Sequence, residues 1–283
     1  MIVFRILFLA FTLVFFFPQP AEAKQQVRLV YVEWPCAVVT HNLAKVAIEE
    51  RLPQYEVELI PISVPLMFKA LSTGEAEATM AAWLPSTHRT YIDSLQGKIV
   101  DLGPLLTGTK LGWVVPDYVP YRSIEDLRGH AAEFNGNIYG IEPGAIYMDD
   151  SARAIIEYNL EGFTLVESSD AVMVAMLEEA IKKNAPVVIT GWAPHWKFGR
   201  WDLHFLEDPK GLFGTEEGIH TVVRMGLETD MPEIYRFLDN FSFTDAAQLQ
   251  RLMAENMEKG TDAMENARKF VRENPEQVDS WFK

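Results

Sequence analysis

Strand-like runs alternate with segments of helical apolar spacing twice along this chain. That alternation limits the fold more than any other feature. In the first pass Val27–Val32 reads as a strand, and Cys36–Arg51 as a helix with Val38, Leu43, Val46 and Ala47 on one side, ended by Pro53. Tyr55–Ile60 reads as a strand, Leu66–Ser72 as a helix closed by Gly74, and Ala76–Ala82, Ile99–Leu102 and Leu111–Val115 as strands. The second pass begins near Pro116. A capped helix start at Ser123–Asp126 precedes a strand over Ile138–Ile141, a helix over Ser151–Tyr158 and a strand over Phe163–Val166. A helix over Ala171–Lys183 and strands over Pro186–Gly191 and Leu203–Leu206 complete it. The chain crosses back at His220–Met225 and ends in helices over Glu233–Asn240, Asp245–Lys259 and Asp262–Asn274. Such alternation implies an α/β fold with mostly parallel sheets and helices on their faces.

The first 23 residues stand apart from this pattern. Arg5 precedes the apolar run Ile6–Phe17, and Ala21-Glu22-Ala23 supplies small residues at a cleavage position, as in a secretory signal peptide. The run is shorter than the ~20 apolar residues a membrane span needs, and no second one follows, so no stable membrane insertion is expected after cleavage near Ala23. Removing Arg5 and Glu22 cancels in charge, which leaves the formal −15 on the exported chain. That acidity argues against nucleic acid and anionic lipid as partners. Cys36 is the single cysteine, which rules out an internal disulfide and suggests a buried free thiol. Export without disulfides points to a periplasm. The remaining chain is long enough for two cores. The expected division is residues 24–112 as the first part of one lobe, 113–219 as the second lobe, and 220–283 as the return to the first lobe with the C-terminal helices. Two lobes joined by two crossings is the layout of a hinged binding protein.

Three tryptophans follow expected strand ends: Trp34 after RLVYVE, Trp83 in ATMAAWLPSTH and Trp192 in VVITGWAPHW. Open α/β sheets bind ligands outside the carboxyl ends of their strands. Three indoles delivered there would form a cage of π faces suited to a quaternary ammonium. Such a cation has no N–H to donate, so carboxylates and carbonyls cannot hydrogen-bond it.

The motifs AWLPSTH (82–88), IEPGA (141–145), VESSDAVMVAMLEEAI (166–181), TGWAPHWKF (190–198) and LEDPKG (206–211) resemble those of the glycine betaine/proline betaine substrate-binding proteins of ABC transporters. The likeness runs from about Val27 to the end. It implies a two-lobed periplasmic binding protein fold of type II-like form, with the ligand cleft between the lobes. It further implies that Trp34, Trp83 and Trp192 hold a trimethylammonium group, while His88 and the backbone amides of Ile146 and Tyr147 hold a carboxylate. The implied partners are a membrane permease and its ATPase, with no cofactor. Free N–H groups at the start of a helix after Pro143-Gly144 would form such an anion site, with Asp149, Asp150 or Ser151 as the expected N-cap. The likeness departs at Ile146, where the family usually has glycine, so a side chain there would narrow or re-aim the carboxylate pocket. Asp149 and Asp150, aimed inward, would oppose a carboxylate. The related choline binders carry a carboxylate two residues after the first cage tryptophan, where this chain has Cys36; that favours a betaine.

Other readings stay open at this stage. The same fold could bind choline, carnitine or another ligand and feed a sensor, and an enzyme acting on a methylated amine is the competing class. No HExxH or paired His/Cys spacing marks a metal site, and Ser86 lacks a GxSxG elbow. His195 and Trp196 read as packing of their loop, and Trp113, Trp201 and Trp281 as core or surface.

Overall fold

The computed structural model describes residues 23–283; the expected signal peptide, residues 1–23, lies outside the described residues except for Ala23. The elements are β1 (Gln25–Tyr31), α1 (Pro35–Arg51), β2 (Tyr55–Pro61), α2 (Val64–Thr73), β3 (Ala78–Leu84), α3 (Arg89–Ser94), β4 (Ile99–Pro116), β5 (Asn137–Tyr139), α4 (Ile146–Glu157) and β6 (Thr164–Val166). They continue with α5 (Asp170–Lys182), β7 (Val188–Ala193), α6 (Lys197–Arg200), β8 (Leu203–Phe205), β9 (Glu217–Arg224), α7 (Leu227–Asp230), α8 (Pro232–Asn240), α9 (Ala246–Asn256), α10 (Ala263–Glu273) and α11 (Pro275–Ser280).

The strands pair in the order β2-β1-β3-β9-β4-β7-β5-β6, with β8 also on β4. The expected strands Ile99–Leu102 and Leu111–Val115 are one long strand, β4, which changes partner part-way. Up to Thr109 it pairs with β9, and from Lys110 it pairs with β7 and then β8. β4 therefore belongs to both sheets and carries the chain from one lobe to the other, and the segment between β8 and β9 brings it back. β4 and β9 run antiparallel to their neighbours. This corrects the expectation of mostly parallel sheets: parallel pairing is confined to β1 with β2 and β3, and to β5 with β6 and β7.

Within each lobe the first strand sits between the second and third, as β2-β1-β3 and as β6-β5-β7. Helices leaving the first strand's carboxyl end on either side open a crevice at that reversal of strand order. The fold thus creates two such switch points, one per lobe.

α1 begins at Pro35, where a missing N–H costs nothing. It is buried on most sides, with Leu43, Ala47 and Ile48 nearly inaccessible, because β-strands cover one face and α9 and α10 pack on it from the C-terminal segment. The last helices thereby close the first lobe's core. A second core around Trp113, Phe134 and Tyr158 belongs to the second lobe. Trp281 packs among Phe237, Phe241 and Phe270 in the first. Cys36 is buried and free, and burial pushes its thiol up to about 12.

Candidate functional site

Each switch point delivers aromatic faces to one cavity. Trp34 lies three residues beyond β1, but Trp83 and Trp192 are the next-to-last residues of β3 and β7, inside the strands rather than past them as expected. Both strands run on into a W-x-P sequence whose proline follows a cis peptide bond, Leu84–Pro85 and Ala193–Pro194. Trp34, Trp83, Trp192, His88, Ile146 and Tyr147 all line this cavity, together with Thr87, Leu111, Ile141 and Ala145. The space between its walls, counted together with its open mouth, is about 360 Å³. The indoles are 7%, 3% and 4% exposed in chain order, so a cation among them would be largely desolvated. Cation–π attraction is strongest in that setting.

Polar groups line the same cavity. His88 Nδ1 accepts the Trp83 amide N–H at 2.9 Å, which leaves the ring proton on Nε2. Burial holds the imidazole neutral, its pKa down at about 3. Nε2 is buried with no hydrogen-bond partner among the described residues. An unpaired buried donor costs free energy unless a ligand accepts from it. The ring is fixed by near-parallel packing 6.2 Å from Trp34 and by Phe68 edge-on at 5.4 Å.

α4 starts at Ile146 with Ala145 as N-cap, five residues before the expected Ser151, and no side chain caps it. The turn at Pro143-Gly144, with Gly144 at φ 93°, directs the chain into the helix. Ile146 and Tyr147 therefore supply first-turn N–H groups that lack intrahelical acceptors. The helix dipole adds partial positive charge there. Asp149 is exposed and Asp150 pairs with Arg153 at 2.9 Å; neither lines the cavity. Ile146 does line it.

Other residues support the site. Glu217, at the start of β9 beside the partner change in β4, accepts from the amides of Ser86 (2.6 Å) and Thr87 (2.7 Å) and from Thr87 Oγ1 (2.7 Å). It fixes the loop that carries His88 to the strand crossing between lobes. Tyr147 has a second role through its side chain. Its hydroxyl donates to Gly112 O and accepts from the Gly112 and Gly191 amides, both at 3.1 Å. Gly112 and Gly191 face each other across β4 and β7. A Cβ on Gly191 would stand 2.4 Å from Val114 Cγ2, so only glycine fits there. Glu142, in the second lobe, accepts the Trp34 indole N–H at 2.6 Å and so joins the lobes beside the cage. His195, expected as packing, is buried and bonded through Nε2 to Asp170 at 3.2 Å, with its ring edge-on to Trp192.

Among the described residues no group of three or more His, Cys, Asp and Glu side chains is placed to hold a metal ion. No helix among them is long and apolar enough to cross a membrane.

An aromatic pocket that also presents fixed neutral donors suits a small zwitterion with a bulky cation. Residues 25–273 match the OpuAC family, described as the substrate binding domain of ABC-type glycine betaine transport systems. The chain belongs to that family. It is 42% identical over 164 residues to the glycine betaine/carnitine transport binding protein GbuC of Listeria monocytogenes; the match covers 57% of this chain and about half, 53%, of that protein. Its fold superposes on the glycine/betaine/L-proline-binding protein ProX of Borrelia burgdorferi with a TM-score of 0.87 at 35% identity, covering 92% of this chain and 97% of that one. The closed-liganded lactococcal OpuAC, complexed with glycine betaine, gives a TM-score of 0.85 at 38% identity, covering 92% and 100%. The family is one of transport binding proteins rather than enzymes, and these likenesses fit the two-lobed periplasmic binding protein fold.

Proposed function

We propose that this protein is the exported, periplasmic solute-binding subunit of an ABC importer, and that it captures glycine betaine or a close methylated relative without transforming it. Trp34, Trp83 and Trp192 surround the quaternary ammonium. His88 Nε2–H and the amides of Ile146 and Tyr147 donate hydrogen bonds to the carboxylate. The observation that carries this reading is the unpartnered Nε2–H of His88 in a cavity walled by the three indoles. A ligand with a fixed cation at one end and an acceptor at the other satisfies both.

The lobe boundaries proposed are residues 24–112, 113–219 and 220–283, since β4 pairs in both sheets and β9 lies back in the first sheet, between β3 and β4. On that division Trp34, Trp83 and His88 belong to one lobe, and Trp192, Ile146 and Tyr147 to the other. The cage is complete only when the lobes close, and the ligand favours closure by its higher affinity for the closed form. The closed protein then delivers its ligand to a membrane permease driven by a cytoplasmic ATPase.

Calorimetric titration of the protein with glycine betaine, proline betaine, choline, carnitine and dimethylsulfoniopropionate tests this reading. Glycine betaine is expected to bind, and His88→Ala to weaken it by about 1.5–3 kcal/mol, the range for a hydrogen bond to a charged group. Choline lacks the carboxylate, so its binding should change little in that variant. Absence of binding by every compound would contradict the function; equal losses for betaine and choline would mean that His88 only supports its loop.

A further inference from the structure

Trp192 has a neighbour outside the cavity. Lys197 opens α6 and is fully buried, at 0% exposure. Its Nζ lies over the Trp192 ring, 4.4 Å from the centroid, and 5.5 Å from that of Phe198. No hydrogen-bond acceptor among the described residues meets Nζ. Lys197 does not line the cavity, whereas Trp192 does. One indole therefore faces the ligand space and also carries a lysine side chain.

We propose that Lys197 tunes the cage: its ammonium form weakens the attraction of Trp192 for the ligand's fixed cation, so that ligand capture and loss of the Lys197 proton are coupled. This inference rests on the quaternary-ammonium reading of the cavity. Two cations sharing one ring draw on the same π electrons, and they repel each other through a medium of low dielectric constant. A buried ammonium without acceptors is poorly stabilised in any case. Burial accordingly brings the Lys197 pKa down to about 7, with Asp170 and Cys36 opposing that shift.

The groups facing Lys197 keep their charge around neutrality. Asp170, at the start of α5, is held below the usual carboxylate range by its hydrogen bond to His195, against the pull of burial. Burial, assisted by the Lys197 charge, lowers His195 in the preceding loop to about 4. Cys36, at the start of α1, is pushed up to about 12, and His88 across the cavity lies at about 3. Between pH 6 and 8 Lys197 is the member of this set that changes charge. Glycine betaine stays a zwitterion throughout. Coupling is reciprocal, so a ligand disfavoured by the protonated lysine must drive the proton off when it binds.

The test is calorimetric titration with glycine betaine at pH 6, 7 and 8, using wild type, Lys197→Met and Lys197→Arg. Each is run in two buffers of different ionisation enthalpy, so that proton release is counted directly. Wild type is expected to tighten by about tenfold across that range and to release a fraction of a proton near pH 7. Lys197→Met should bind tightly with no pH slope and no proton release. Lys197→Arg, charged at every pH, should bind weakly and without slope. A flat wild-type profile without proton release, or the wild-type slope retained in Lys197→Met, would overturn the proposal. If Lys197→Met does not fold, wild-type proton release decides alone, since its absence excludes the coupling. Failure of betaine to bind wild type at any pH would instead remove the functional reading.

Discussion

Alanine at Trp34, Trp83 or Trp192 is expected to weaken glycine betaine binding by at least ~1 kcal/mol, and by ~2 kcal/mol where the lost ring was fully desolvated. Trp83 and Trp192, at 3% and 4% exposure, belong at the upper end. Phenylalanine or tyrosine should cost less, because a π face remains. Each variant also leaves a void, so thermal unfolding must accompany the titrations to separate lost stability from lost affinity. Trp83 lies within β3 and supplies the amide that fixes His88, which makes this check most important there. Alanine variants that bind as tightly as wild type would place the cation elsewhere.

Acid is expected to destabilise the protein well before its carboxylates titrate. His41, His88 and His195 are all buried, and burial lowers their pKa values to about 4, 3 and 4. Each also accepts a backbone N–H on one ring nitrogen: His41 from Met80, His88 from Trp83 and His195 from Lys197. A second ring proton would break that bond. In the unfolded chain a histidine protonates near pH 6.5. The folded values are depressed, so the unfolded state binds more protons as pH falls below 6.5. The stability these residues contribute is complete above that pH and is lost as pH falls toward their folded values. By pH 5 the loss is about 2 kcal/mol for each. Urea midpoints at pH 7, 6 and 5 should fall steeply. A midpoint that stays constant over that range would mean that the three rings accept protons in the folded state.

Much of this was legible in the chain because the signals were local. The helix at Cys36–Arg51 and the strand at Tyr55–Ile60 agree with α1 and β2 to within a residue or so, since Pro53 and the apolar spacing fix their limits. The residues expected to meet in a cleft do line one cavity, because strand ends in α/β sheets converge whatever the loops do. What escaped was non-local. β4 read as two strands because Gly103, Pro104 and Gly108 interrupt its β-pattern, and pairing with β9, more than a hundred residues later, bridges the gap with bulges. The start of α4 read five residues late because its N-cap is Ala145, which has no polar side chain, while Asp149, Asp150 and Ser151 further on are good capping residues; the turn at Pro143-Gly144 sets the start instead. Glu217 and Glu142 act on residues 131 and 108 positions away, and Lys197 acts from behind a cage wall; IEPGA and TGWAPHWKF contain the last two, but spacing alone gives an acidic or basic residue no such role. The facing pair Gly112 and Gly191 had one hint, a glycine in each of two apolar strands, which marks close backbone approach.

The central claim is that one cavity holds both ends of a betaine. A crystal structure of the protein grown with glycine betaine tests it most directly. The ligand nitrogen is expected within about 6 Å of the ring centroids of Trp34, Trp83 and Trp192, with carboxylate oxygens about 3 Å from His88 Nε2 and the amides of Ile146 and Tyr147. Glycine betaine bound outside this cavity, or with its carboxylate turned toward the tryptophans, would contradict the account.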